Sequence, residues 1–237
     1  MTTDGPSGAF AGVGFAVADP YRFAGNMARL VAEAGKAATA YIQPQIGTLA
    51  PLAQADDVTP ALNTFTQVQQ ALVTQPATLI EAQSKLWQAY VDLWNSSVRQ
   101  TLGLGGDEVA PATSKDARFK DPAWTEHQFF DAIRQSYLIT SHWTEQLVDA
   151  TEGLDPEAQR KARFYTKQII NALAPSNWVF TNPELLRETF ASDGENLVRG
   201  MQLLAEDIER GGGQLKIRQT DPTQFEVGRN LAVTPGR

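Results

Sequence analysis

A mainly α fold, with about five to six helices and a short β tail at the C-terminus, is predicted by three features of this 237-residue sequence. Helix starts recur as an acid or amide followed by proline, at Asp19-Pro20, Asp121-Pro122, Asp155-Pro156 and Asn182-Pro183. The side-chain oxygen can accept from an N–H of the first turn, and proline at the first helical position has no N–H to leave unpaired. Apolar residues follow each start at helical spacing over several turns. Only after Gly211-Gly212-Gly213 does the period change to the alternation of a strand.

Taken in order, residues 1–18 are rich in Gly and Ala and read as a mobile N-terminus. The helix begun at Asp19-Pro20 carries Phe23, Met27, Leu30, Val31, Ala34, Ala38, Tyr41 and Ile42 in a heptad-like stripe of about seven turns. That stripe suits packing on the protein's own core, or an interaction face for a partner helix or a lipid-like surface. Pro44, Gly47, Pro51 and Pro60 mark 43–60 as a linker. Leu62, Phe65, Val68 and Leu72 make a modest helix. Gln75-Pro76 begins an aromatic-rich one, with Leu79, Leu86, Tyr90 and Trp94 at helical spacing and Trp87 and Val91 beside them; it reads as core and ends near Gly103 or Gly105-Gly106. Residues 19–106 thus form a first helical region, and 107–237 a second.

In the second region one helix runs from Asp121-Pro122 through Phe130, Ile133, Tyr137, Trp143 and Leu147 to near Gly153. Another runs from Asp155-Pro156, with Ala158, Ala162, Tyr165, Ile169 and Leu173 on its apolar face, and Pro175 closes it. The last begins at Asn182-Pro183 and carries Leu186, Phe190, Leu197, Met201, Leu204 and Ile208, with Gly194 placed to kink or split it. Leu215 and Ile217 alternate with Lys216 and Arg218. After the turn Asp221-Pro222-Thr223, Phe225 and Val227 alternate with Glu226 and Gly228. Two such pieces find few sheet partners within a helical chain and are marginal alone.

Composition narrows the function classes. A net charge of −7 argues against nucleic acid, which needs a basic face. Cysteine is absent, which removes disulfides, thiolate metal sites and a cysteine nucleophile from these residues. There is no signal-peptide pattern at the start and no apolar run of the ~18–20 residues a transmembrane helix needs, so the chain reads as soluble and cytoplasmic.

No catalytic constellation emerges. There is no phosphate loop, dinucleotide fingerprint or nucleophile elbow. The triple glycine follows a helix and precedes a strand, the reverse of a phosphate cradle. His127 and His142 lack metal-ligand spacing. Glu206, Asp207 and Glu209 read as a solvated helix face. Arg118 beside Phe119, and Arg229 beside Asn230, could hold an anion such as a CoA phosphate, but loop-fixing salt bridges suit them better. No catalytic, cofactor-binding or metal-ligating residue is assigned, and no cofactor is expected.

Several stretches of the second half carry a resemblance. They are Asp116-Ala117-Arg118-Phe119-Lys120-Asp121-Pro122-Ala123-Trp124, Gln135-Ser136-Tyr137-Leu138, Ala174-Pro175-Ser176-Asn177-Trp178 and Thr181-Asn182-Pro183-Glu184, then Gly194-Glu195-Asn196-Leu197-Val198-Arg199-Gly200 and Phe225 through Gly236. Together they resemble the N-terminal domain of class I polyhydroxyalkanoate synthases, the acyltransferases that make poly(3-hydroxybutyrate). Leu86-Trp87-Gln88-Ala89-Tyr90-Val91-Asp92-Leu93-Trp94 is similar to the preceding helix of that family. The resemblance implies that catalysis, by Cys, Asp and His, belongs to an α/β-hydrolase domain outside this chain. It also implies that the β tail would lead into that domain and that the chain is inactive alone. Implied partners are synthase subunits or the catalytic domain, the polyhydroxyalkanoate granule and its associated proteins, and a second copy in a homodimer; no nucleic acid is expected.

Two readings follow. In one the chain is a non-catalytic synthase domain acting in subunit association, granule attachment and activity tuning, truncated before its enzyme domain. In the other it is a stand-alone granule-associated scaffold that binds synthase or the polymer surface.

Overall fold

The computed structural model describes residues 17–43, 55–110, 116–217 and 225–230, with the side chains of 55–58 excepted. The fold is mainly α. Its helices are α1 (Pro20–Ile42), α2 (Ala55–Val73), α3 (Pro76–Thr101), α4 (Ala123–Glu126), α5 (Gln128–Asp149), α6 (Pro156–Ala172), α7 (Pro183–Ala191) and α8 (Glu195–Arg210), with 3-10 turns at Ala117–Phe119 and Pro175–Asn177. The chain divides into two compact units, one holding α2 to α7 and the other α1 and α8.

The starts form as their side chains dictate. Asp19 accepts from the backbone N–H of Tyr21 and Arg22. Asp155 accepts from Glu157 and Ala158, and Asn182 from Glu184 and Leu185. The N–H groups of Ala158 and Glu157 hold the Asp155 carboxyl below its usual pKa.

Three expectations need correction. Pro60 lies inside α2 rather than in a linker; in the second turn it forfeits a single intrahelical bond. The helix opened by Asp121-Pro122 is two helices, because His127 takes an extended backbone (φ −105°, ψ 116°) between α4 and α5. Gly194, as its place in the stripe led us to expect, splits the last helix by adopting φ +81°. These breaks raise the number of helices among the described residues above the five to six expected. In the tail, Leu215–Ile217 form no strand and Val227 makes a single bridge; no strand occurs among the described residues. The expected linker signals Pro44, Gly47 and Pro51, the turn at Asp221–Thr223 and the stretch after Asn230 lie outside the described residues.

In the larger unit α3 and α5 run antiparallel. Trp143 Nε1 donates to the Ala82 carbonyl at 2.9 Å, while Gln128, at the other end of α5, donates to the Ser97 carbonyl at 3.0 Å. The core between them is aromatic. Trp124 and Phe130 are fully buried, and Trp124 meets Phe119 (5.0 Å between centroids) and Phe130 (5.9 Å) edge to face. Such geometry sets the positive ring edge against the negative face of its neighbour. Leu86 and Leu93 of α3, Leu138 and Ile139 of α5 and Leu186 of α7 complete it. A second cluster joins Val68 of α2, Val148 of α5 and Ala162 of α6.

In the smaller unit α1 and α8 lie parallel, start beside start. Asn26 donates to the Asp193 carbonyl at 3.0 Å, and Arg22 pairs with Glu195; farther along, Ala37 packs with Ala205 and Ile208. Two parallel helices bring two positive dipole ends together, and Asp19, Asp193 and Glu195 supply negative charge there. Asp193 is buried and accepts from the Asp19 N–H at 3.0 Å. The stripe on α1 is therefore divided: Phe23, Met27, Leu30 and Ala34 are partly buried, whereas Val31, Ala38, Tyr41 and Ile42 stay exposed.

A Cβ at Gly194 would fall 2.5 Å from Met27 Cε, in a backbone region costly for other residues. Gly194→Ala is expected to destabilise the α1–α8 pair by about 1–2 kcal/mol. Faster amide exchange in α1 and α8, with that in α5 unchanged, is the expected readout.

Candidate functional site

The larger unit carries a groove of about 380 Å³. Its apolar wall is Phe65 of α2, Ile133 and Tyr137 of α5, Ile169 of α6 and, beyond the end of α6, Leu173 and Pro175. Tyr90, Ser136, Thr140, Ser141, Thr144 and Thr166 add hydroxyls, and no charged side chain lines it among the described residues. Most of those hydroxyls have local partners. Thr140 donates to the Ser136 carbonyl and Thr144 to the Thr140 carbonyl. Tyr90 OH lies 2.7 Å from Thr140 Oγ1, and Tyr137 OH donates to the Ile170 carbonyl at 3.0 Å. Thr166 Oγ1 is buried without a hydrogen-bond partner among the described residues. Three larger open hollows, of about 670, 660 and 570 Å³, have charged linings, and the lysines of the first two already serve their own helices: Lys161 pairs with Glu157, and Lys36 with Glu33.

Beside Tyr137 the strongest polar cluster of the unit forms on the 3-10 turn before α4. Arg118 donates to Asp116 through both Nε (2.9 Å) and Nη2 (2.8 Å), and through Nη1 to Tyr137 OH (2.7 Å) and Asn171 Oδ1 (3.2 Å). Its guanidinium stacks at 5.5 Å from the Phe119 centroid and 5.4 Å from that of Tyr137. The fork matches the planar carboxylate, which a lysine could not do. The Arg118 hydrogen bonds hold the Asp116 carboxyl below its usual pKa, and Asp116 in turn raises that of Arg118. Arg118 is thus committed to fixing its loop rather than to an external anion. Arg229 likewise pairs with Glu226 at 3.1 Å.

A second network was not legible as such. Arg134, buried in α5, contacts Asp131 (2.6 Å) and Glu108 (2.7 Å). The neighbouring Gln135 accepts from the backbone N–H groups of Val109 and Ala110 and donates to Asp131. Together they clamp residues 108–110 onto the helix. A cation and an amide in adjacent helical positions carry no warning in the sequence that both point inward.

The other flagged residues are separate. His127 packs 5.1 Å from the Phe130 ring, and His142 is exposed on α5 about 21 Å farther along the helix axis. Glu206 and Glu209 are exposed, but Asp207 is buried, which corrects its placement on a solvated face. Among the described residues no three His, Cys, Asp or Glu side chains gather as a metal site. No helix there is long and apolar enough to cross a membrane. The groove can therefore hold a neutral, largely apolar ligand, and its lining offers no strong acid or base.

Residues 115–237 match the family described as poly-beta-hydroxybutyrate polymerase (PhaC) N-terminus. The chain belongs to this family. The poly(3-hydroxyalkanoate) polymerase subunit PhaC of Rhizobium meliloti is 42% identical over 223 residues, covering 94% of this chain and 36% of that protein. The Rhizobium etli subunit is 43% identical over 224 residues, 92% of this chain and 35% of its own length. The Cupriavidus necator subunit is 34% identical over 161 residues, 68% of this chain and 26% of its own length. The chain thus spans about a third of the two rhizobial relatives. No solved structure matches it. The matched residues of the PhaC N-terminus include Asp116, Arg118, Tyr137, Thr166 and Asn171.

The Arg118 fork makes stability depend on acid. A carboxyl whose folded pKa is lowered contributes fully above its unfolded pKa, about 3.9 for Asp, and loses that contribution as pH falls through the folded value. Asp116→Asn is expected to lower stability at neutral pH and to flatten its decline below about pH 4. Urea midpoints measured from pH 2 to 7 check both. Arg118→Ala should cost about 1–2 kcal/mol, since the side chain is partly solvated and its bonds are screened.

Proposed function

We propose that this chain serves a polyhydroxyalkanoate polymerase as a non-catalytic helical module, in subunit association, granule attachment and tuning of activity. The polymerase would join 3-hydroxyacyl groups from CoA thioesters into polyester, with the nucleophile supplied by a separate α/β-hydrolase domain. The observation that carries this is the PhaC N-terminus match over 115–237. Two features support the auxiliary role. Arg118 and Arg134 are occupied by internal carboxylates, and the hydroxyl-lined groove is uncharged, a chemistry suited to a neutral ester chain. Its expected partners are synthase subunits or their catalytic domain and the granule with its proteins, and its expected location is the cytoplasm at the granule.

The test is CoA release from 3-hydroxybutyryl-CoA, followed with a thiol reagent to which this cysteine-free chain contributes no background. The chain alone should release none. Added to a related polymerase lacking its N-terminal third, it should raise the rate several-fold and bring that polymerase down with polyester granules. Sustained release by the chain alone would overturn the non-catalytic reading. An unchanged rate and unchanged sedimentation would overturn the auxiliary one.

A further inference from the structure

The groove between α2, α3, α5 and α6 holds hydroxyls without partners, where other helices of this chain leave none. Thr64 donates to the carbonyl of Pro60, Thr140 to that of Ser136, Thr144 to that of Thr140 and Thr189 to that of Leu185. Bonding to the carbonyl four residues back is the usual recourse of a threonine inside a helix. Thr166 of α6 departs from it. The residue is only 2% exposed, and its Oγ1 meets no hydrogen-bond partner among the described residues. The side-chain hydroxyls of Ser136 and Ser141, in the α5 wall, likewise have no partner there. Unpaired hydroxyls in an apolar wall cost free energy, which an acceptor carried by a ligand relieves.

The chemistry of the wall selects the kind of ligand. No charged side chain lines the groove among the described residues, and Arg118, which reaches Tyr137, is held by Asp116. An anion therefore finds no counter-charge. A peptide brings N–H donors, but three carbonyls beside the groove are already engaged: those of Ser136 and Thr140 on α5, and of Ile170 on α6. An oligoester brings carbonyl acceptors and apolar carbons and has no backbone donor to satisfy. That matches free O–H groups set among Phe65, Ile133 and Ile169.

Size agrees with chemistry. The α5 residues of the wall run from Ile133 to Thr144, about 16 Å of helix. A 3-hydroxyacyl repeat has four backbone bonds where an amino-acid residue has three, so it extends about 4–5 Å. The wall is thus about three to four repeats long. The volume of 380 Å³ gives the same count, at roughly 100 Å³ for a four-carbon repeat packed as in an organic solid. Ser136 and Ser141 stand about 140° apart round α5, one toward each flank of the line, and Thr166 faces it from α6. We infer that the groove binds one strand of 3-hydroxyalkanoate oligoester, with Ser136, Ser141 and Thr166 donating to its carbonyls. This site takes a single short chain rather than a granule surface, and it rests on the polymerase reading above.

The test is calorimetric titration of the full chain with a soluble, uncharged probe, the acetyl-capped methyl ester of a 3-hydroxybutyrate tetramer. One molecule should bind per chain, with a Kd below about 1 mM. Ser136→Ala and Ser141→Ala together should weaken binding at least tenfold with helical circular dichroism unchanged. Thr166→Val keeps the shape and removes the unpaired hydroxyl. It should weaken binding several-fold while the urea midpoint holds or rises, a split that a merely structural hydroxyl would not produce. Trp94→Ala, on the exposed side of α3 and outside the groove, should change nothing. No binding at 5 mM tetramer, an affinity indifferent to the serine or threonine changes, or binding lost with Trp94 would each overturn the site. Equal or tighter binding of the amide analogue, a 3-aminobutyrate tetramer capped alike, would assign the groove to a peptide and overturn it too. The parent reading is judged apart, by the rate the chain confers on the shortened polymerase. The tetramer can go unbound while that stimulation persists, and it can bind while stimulation is absent.

Discussion

The larger unit depends on the two-pronged bond between Arg118 and Asp116. Without it the residues between 116 and 122 would be a short surface turn with little reason to hold one shape. With it, the guanidinium is fixed in a plane and Phe119 is directed inward, edge to face with Trp124. The same cation reaches Tyr137 on α5 and Asn171 at the end of α6. One partly exposed ion pair therefore ties a turn to two helices, and its value lies in the register it imposes on the aromatic core rather than in its Coulomb energy, which water would screen. Asp121, three residues later, repeats the economy on a smaller scale. It caps the Ala123 N–H and pairs with Arg187 of α7.

Much of this was legible in the sequence because helix starts are local. Asp19, Asp155 and Asn182 cap through atoms two and three residues away, so a dipeptide is enough to place them. What the chain does at longer range was not legible. Nothing near Trp87 or Trp94 distinguishes them from Leu86 or Leu93, because all four obey helical spacing and only the position of α5 decides which line is covered. Asp207 looks like its acidic neighbours until the helix is oriented. His127 breaks a periodic run in which neither glycine nor proline marks the break. The loop-fixing role of Arg118 was anticipated, but its reach to Tyr137 and Asn171 was not, since those residues stand far apart in sequence. The groove was not anticipated at all: its hydroxyls are ordinary helix residues, and only the assembly of α2, α3, α5 and α6 gathers them.

The surface chemistry has a common character. In the larger unit Arg118, Arg134 and Arg187 pair with Asp116, Asp131 and Asp121, while the groove is lined by neutral side chains. The groove thus offers shape and apolar area rather than charge. That is consistent with its place in the PhaC N-terminus family and with a net negative chain that is poorly suited to anionic partners.

The parallel pair of α1 and α8 has a consequence in time. Its two halves are separated in the chain by the whole larger unit, about 150 residues. At about 5–20 residues per second, a ribosome would deliver α8 on the order of ten to thirty seconds after α1 has emerged. During that interval Phe23, Met27 and Leu30 lack the helix that will cover them, while α2 to α7 can fold as a body of their own. The nascent chain therefore passes through a stage in which its first helix is a sticky leader waiting for its mate, and a chaperone or a neighbouring nascent chain would meet it there.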